Sequence, residues 1–196
     1  MNQEEMERLL SILKMHTAAD AKEAADVLLI RQMALANPAI FDRQTFPGHI
    51  TGSALVSDPD SGRFLLHYHK SLSKWLQFGG HSENETNPAD IAMREAAEES
   101  GLTDLAFFPP GLPVRPIDID VHAIPAGKGQ PDHLHLDFRY LLTTSHPEAL
   151  SAADGESSDF RWLTFSEIIT LGELVDPGLL RLIQKSDKFL ESLRRN

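Results

Sequence analysis

Apolar residues recur at helical spacing through the first part of the chain, with Leu9, Leu10 and Leu13 followed by Val27, Leu28 and Ile30. Residues 3–36 therefore read as a helical segment, which Pro38 and then FPGH bring to an end. From there the pattern shortens to strands. HITGSALVS (49–57) and RFLLHYH (63–69) are parted by DPDSG, a turn with Pro and Gly in turn positions. KWLQF (74–78) is a short extended piece that leads into Gly79-Gly80. A helix is expected over 88–100, with Asn87 as its cap, Pro88 at its first position and Gly101 at its end. Strands are predicted at 115–124, 134–144 and 159–164, then helices at 166–171 and 177–194. This order points to an α/β or α+β layered fold with a mixed β-sheet.

Two of these strands carry an unusual polar set. Asp118, Asp120 and His122 alternate with Ile117, Ile119 and Val121, and His133, His135, Asp137 and Arg139 alternate with Leu134, Leu136, Phe138 and Tyr140. A period of two puts each polar set on one face. The loop between them, with Pro125, Gly127, Gly129 and Pro131, is suited to joining an antiparallel pair. A solvated sheet face is the plain reading. Histidine, aspartate and arginine without lysine suit a lined pocket better, since Asp–His pairs fix tautomers and Arg meets phosphate. His49, His67 and His69 on the early strands read as structural or as support behind a site, and Trp75 and Phe78 as core.

The helix over 88–100 poses the sharper question. Glu95, Glu98 and Glu99 fall within an arc about 100° wide at 100° per residue, beside an arc of Ala89, Ala92, Met93, Ala96 and Ala97. The alanines would let that side pack closely on a sheet. Like charges a few ångströms apart repel, and a divalent cation reverses the sign of that energy. Oxygen donors of this kind suit Mg2+ or Mn2+. The plain alternative is a solvated acidic face eased by Asp90/Arg94 and Arg94/Glu98 pairs.

Composition narrows the choices. The chain of 196 residues carries a net charge of -11, is 41% hydrophobic and has no cysteine. That excludes thiolate metal sites and cysteine nucleophiles. Nucleic acid and anionic membranes need clustered Lys and Arg, so neither is an expected partner. The acidic N-terminus has neither a basic nor an apolar signal region, and a cytoplasmic setting is expected.

Residues 80–102 resemble the Nudix box, G-x5-E-x7-R-E-U-x-E-E-x-G-U with U apolar. Gly80, Arg94, Glu95, Ala96, Glu98, Glu99, Gly101 and Leu102 fall in register. KWLQFGGH, PIDIDVHAIPA and FRWLTFSEI look similar to further segments of the family. The resemblance implies a Nudix-type α/β/α sandwich over 39–196, with residues 1–38 as an N-terminal helical extension. It implies hydrolysis of the diphosphate bond in a nucleoside diphosphate linked to another group, by metal-activated water. Glu95, Glu98, Glu99 and the Gly80 carbonyl would hold Mg2+ (or Mn2+), and Arg94 would orient the carboxylates. Glu156 matches a position where Nudix proteins often place a further acid. His81, Asp120, His122, His135, Asp137 and Arg139 are the candidate substrate-binding residues. One departure stands out: Thr86 occupies the first Glu of the box, with Glu85 one residue early and Glu83 three.

Two other readings stay open. Thr86 fits a Nudix-fold nucleotide-binding or regulatory module with weakened or lost hydrolysis. His133, His135 and a nearby acid fit an iron facial triad, although a cupin-like strand series is missing. The role of residues 1–38, whether packing on the domain, covering the cleft or making a homodimer, is left undecided by the sequence.

Overall fold

A computed structural model describes residues 1–127, 129–151 and 159–194. Two helices open the chain, α1 (Gln3–Met15) and α2 (Ala21–Ala36). The single helical segment expected over 3–36 is thus broken. The side chain of Asp20 accepts the Glu23 N–H and starts α2 afresh, while His16 closes α1 in extended geometry. After them come β1 (Gly48–Asp58), β2 (Arg63–His69), β3 (Lys74–Leu76) and β4 (Phe78–His81). The predicted 74–78 strand divides because β3 pairs with β2 whereas β4 crosses to β1. Then follow α3 (Pro88–Ser100), β5 (Ala106–Phe107), β6 (Asp118–Ile124), β7 (His133–Thr143) and β8 (Phe160–Leu163). The chain closes with α4 (Phe165–Ile169), a 3-10 turn at Gly172–Leu174 and α5 (Pro177–Arg194). β6 starts later than the predicted 115. Pro116 has no N–H to give, so the ladder begins at Ile117, which donates to the Arg139 carbonyl.

β1 and β7 form the parallel centre of one mixed sheet, from Gly48↔Leu134 to Ser57↔Thr143. The other pairings are antiparallel: β1 takes β4 and then β2 along its far edge, and β7 takes β6 and then β5. Alternation along the central strands sorts side chains to two layers. Ile50, Ala54, Val56, Leu136, Phe138, Tyr140 and Leu142 join one core with α1, α2 and α3, whereas Leu55 and Leu141 join a second core with Leu179, Leu182 and Ile183 of α5. Trp75 and Phe78 are buried in these cores, as their sequence setting suggests.

Helix α3 forms for local reasons. Asn87 caps it, Pro88 opens it and Gly101, at φ +72°, closes it in the left-handed conformation. Ala89, Ile91, Ala92 and Ala96 are buried against β1. The approach is close enough that a Cβ on Gly52 would stand 2.3 Å from the Pro88 carbonyl oxygen. Overpacking of this kind costs about 1–3 kcal/mol or more, so Gly52 fixes the height of α3 over the sheet.

The N-terminal helices pack on the domain. β6 is an edge strand, and its outward N–H groups at Ile119 and Val121 donate to the carboxylates of Glu23 (2.9 Å) and Asp26 (3.0 Å) on α2. An open strand edge is thereby covered. Among the described residues no helix is long and apolar enough to cross a membrane.

Candidate active site

The turn Gly79–Gly80–His81 at the end of β4 lies against α3. Glu99 accepts the Gly79 N–H at 3.0 Å, and Arg94 Nη2 donates to the His81 carbonyl at 2.7 Å. A Cβ on Gly80 would stand 2.3 Å from Glu95 Oε1, so only glycine lets this carboxylate reach the strand backbone. Burial is the main cause that raises the Glu95 pKa; Arg94 opposes it, and Glu98 and Glu83 add to it. Arg94 spans the site, at 2.6 Å from Glu85, 2.9 Å from Glu98 and 3.1 Å from Glu95. The expected Asp90/Arg94 pair is absent because the guanidinium turns to these three acids instead.

Thr86 leaves no gap in this arrangement. Burial works against ionisation of Glu85, yet the Arg94 hydrogen bond and the N–H groups of Asn84 and Glu83 outweigh it and lower its pKa to about 2. Thr86 donates to Glu5 of α1 at 2.9 Å, which brings a further carboxylate from outside the box. Glu98 differs from its neighbours: its side chain is 56% exposed and held outward by Arg94. Among the described residues the three glutamates do not bring one oxygen each within 4.8 Å of one another.

On the α5 side of the sheet lies a cleft of about 1110 Å3, bordered by Gly80, His81, Glu99, His122, His135 and Arg181. Cross-strand register explains its floor. Asp118 pairs with Arg139, Asp120 with Asp137 and His122 with His135, and β1 sets His49 beside His135 and Thr51 beside Asp137. The period-two reading of the strands therefore holds, but the face divides into two parts.

One part is an ion network. Arg139, only 3% exposed, donates to Asp137 at 2.8 Å and to Asp120 at 3.0 Å and lies 3.5 Å from Asp118. Arg181 and Lys185 of α5 hold Asp118, at 2.8 and 3.1 Å, and Lys22 of α2 holds Asp120. Thr51 and Ser53 donate to Asp137. Burial opposes ionisation of Asp120, but His122, Arg139 and Lys22 more than offset it and hold the carboxyl well below its usual range. Three of the five Arg139 N–H groups are spent on these carboxylates, and the side chain lines the cleft while remaining almost wholly buried. Asp137 and Asp120 likewise spend their oxygens on the scaffold.

The other part is a row of imidazoles. His122, His135, His49 and His81 come from four adjacent strands, and His133 stands next to them. Ring centroids lie 5.4 Å apart for His122–His135, 5.2 Å for His49–His135 and 4.9 Å for His81–His135. Burial is the chief cause that lowers His81 to about 4 and His135 to about 2, with neighbouring histidines adding to it. His49 is also lowered, mainly by burial. The sequence points to His81, His122 and His135 as site residues but to His49 only as a structural or supporting one. The signal was the alternation His49, Thr51, Ser53 along β1, which gains meaning only from the parallel pairing with β7. Glu156 lies outside the described residues.

Comparison with known proteins bears on the domain and its fold. The NUDIX domain profile matches residues 47–184. Over 103 residues, 51% of this chain and 57% of the relative, the sequence is 37% identical to a protein of Lactococcus lactis subsp. cremoris (strain MG1363) named probable DHNTP pyrophosphohydrolase. The chain thus spans little more than half of that relative's length. A crystal structure of a NUDIX-family hydrolase from Clostridium perfringens superposes with TM-score 0.57 and 27% identity, covering 74% of this chain and 97% of that one. The Ap4A hydrolase of C. elegans, solved as a binary complex, shares the fold with TM-score 0.56 at 17% identity, over 73% of this chain and 98% of its own.

Proposed function

Because the chain belongs to the Nudix hydrolase family, we propose that it is a Mg2+-dependent pyrophosphohydrolase, with Mn2+ an alternative ion. Its substrate would be a small molecule in which a nucleoside diphosphate is linked to another group. The observation that carries this reading is the seat of Glu95 on Gly80, with Glu99 beside it, at the border of the cleft. Three features fit a hard dication there: carboxylate and carbonyl oxygens as donors, a glycine where any Cβ would fill the seat, and a half-buried Glu95 whose desolvation makes it reluctant to ionise. Glu95, Glu98, Glu99 and the Gly80 carbonyl would hold the ion. When bound, such an ion neutralises phosphate charge and lowers the pKa of water at its side.

The chain's own residues do the rest. Arg94 is a positioning residue, tying the β4 turn to α3 and steering Glu98, which swings inward only when the Arg94–Glu98 pair opens. Its exposure makes that movement cheap. His81, His122 and His135, neutral near pH 7 in the case of His81 and His135, offer ring N–H and nitrogen lone pairs to phosphate oxygens and water in the cleft. Asp120, Asp137 and Arg139 hold the floor rigid. Glu156 would supply the further acid that the family pattern suggests. A cytoplasmic setting belongs to the same proposal.

The second reading, a binding or regulatory module with lost hydrolysis, draws on the outward Glu98 and on Thr86. One assay separates the two. The full chain is offered nucleoside di- and triphosphates, nucleotide sugars, dinucleotide polyphosphates and DHNTP with Mg2+ or EDTA, and product phosphates are measured. Mg2+-dependent turnover of one substrate, reduced roughly 100-fold by Glu99→Gln at unchanged fold, is expected for loss of one metal-bearing group. Tight binding without turnover across the panel would favour the module.

A further inference from the structure

We infer that the Nε2 atoms of His49, His81 and His135 form a binding site for a divalent first-row transition ion, zinc above all, separate from the oxygen donors of α3. The inference does not depend on the hydrolase reading. Each of the three residues offers a ligand atom, and those atoms lie within 4.8 Å of one another. His81 Nε2 and His135 Nε2 are 3.2 Å apart. Two nitrogens bound tetrahedrally at about 2.1 Å from zinc would be roughly 3.4 Å apart, so little movement is needed.

The tautomer of His49 supports this. Its Nδ1 contacts the Thr45 carbonyl at 3.3 Å. A carbonyl only accepts, so Nδ1 carries the hydrogen and Nε2 keeps its lone pair. That Nε2 is fully buried and has no hydrogen-bond partner. A buried polar atom left without a partner costs about 1–3 kcal/mol, and a ligand is a direct way to satisfy it. The flanking rings are fixed in the same sense: His133 Nδ1 donates to the Pro131 carbonyl and His122 Nδ1 to Asp120, each leaving Nε2 as the basic nitrogen. Among the three proposed ligands His49 has the backbone carbonyl support that metal-binding histidines use.

The donor set selects the ion. Neutral imidazoles suit Zn2+, Ni2+ and Cu2+, while Mg2+ prefers oxygen. Three nitrogens leave a fourth position. Because His81 and His135 border the cleft, that position is open to water or to an oxygen of whatever occupies it. Arg43 adds some positive charge nearby and lowers the affinity accordingly.

The test uses untagged full-length protein stripped with chelator, then dialysed against Zn2+ and assayed by mass spectrometry of the metal. About one zinc per chain is expected. His49→Gln and His135→Gln should each weaken binding by roughly 100-fold, as loss of one ligand in a three-ligand site should, while Glu99→Gln retains it. Zinc no higher than in a protein-free control, equal retention in His135→Gln, or loss in Glu99→Gln alone would overturn the assignment. If the histidine variants fail to fold, Co2+-loaded wild type decides the matter by NMR. Hyperfine-shifted imidazole signals support the site, and their absence with cobalt bound refutes it.

Discussion

Two stretches of the same sheet face stand side by side and obey opposite rules. At Asp118, Asp120, Asp137 and Arg139 every charge is answered: three carboxylates meet one guanidinium, and α2 and α5 send Lys22, Arg181 and Lys185 to complete the set. Two residues away on β6 and β7 the imidazoles of His122, His135 and His49 gather; His122 meets the Asp120 carboxylate, while one buried nitrogen, His49 Nε2, goes unpartnered. Buried charge is tolerated only when paired, so the first stretch ties helices to strands. An incompletely satisfied imidazole cluster does not serve that purpose and is better suited to a ligand. The α3 glutamates offer a second contrast. Their oxygens and the histidine nitrogens flank one turn, Gly79 to His81, and would sort hard ions from borderline ones.

The largest effect should come from the closed network. Asp118→Ala removes a fully buried carboxylate shared by Arg139, Arg181 and Lys185 and should cost about 3–5 kcal/mol in urea unfolding, whereas His122→Ala should cost under about 1 kcal/mol. Equal losses would erase the distinction between the two stretches. Next comes Gly80→Ala. The new Cβ meets the flexible end of Glu95 rather than backbone, so the fold should survive while Mg2+-dependent turnover falls about 100-fold, near 2.7 kcal/mol. Steady-state kinetics with circular dichroism as the folding control checks this, and undiminished turnover would remove Glu95 from the seat assigned to it.

A pH experiment comes third. Burial lowers His67 to about 4, with His69 nearby adding to the effect, so the folded protein binds fewer protons than the unfolded chain between about pH 6.5 and 4. Its contribution is neutral above pH 6.5 and destabilising as pH falls through that window, by about 2 kcal/mol at pH 5. In EDTA, His67→Gln should lose that much less stability than wild type between pH 7.5 and pH 5. An identical decline would mean His67 protonates freely in the folded state. The smallest effect concerns the box departure. Glu85→Gln should weaken the hold on Arg94 and reduce turnover about tenfold, near 1.4 kcal/mol. Kinetics in which Thr86→Val matters more than Glu85→Gln would give the role to the Thr86–Glu5 contact instead.

What could be read in the sequence was what is local. The spacing of Arg94, Glu95, Glu98 and Glu99, the cap at Asn87 and the stop at Gly101 all lie within one helix and its ends. Alternation along β6 and β7 likewise predicts one polar face, since adjacent antiparallel strands share a loop. The rest depends on distant pairings. His49 joins His135 only through a parallel ladder joining residues 86 positions apart in the chain. The cations that hold the acids around Arg139 come from α2 and α5, at opposite ends of the sequence, so the ion network that ties this patch to the scaffold is not visible in the strand pattern. The break at residues 16–20 was missed because the apolar spacing continues across it and only Asp20, a lone cap, marks it. β5 is two residues long and leaves no period to detect.

The most direct test of the central claim, that the α3 carboxylates beside Gly80 form the hard-ion site, is a Mn2+ titration followed by electron paramagnetic resonance. The combined Glu98→Gln and Glu99→Gln variant is expected to lose bound Mn2+ while His135→Gln keeps it. Undiminished Mn2+ binding in the glutamate variant, with binding lost in His135→Gln, would contradict the claim.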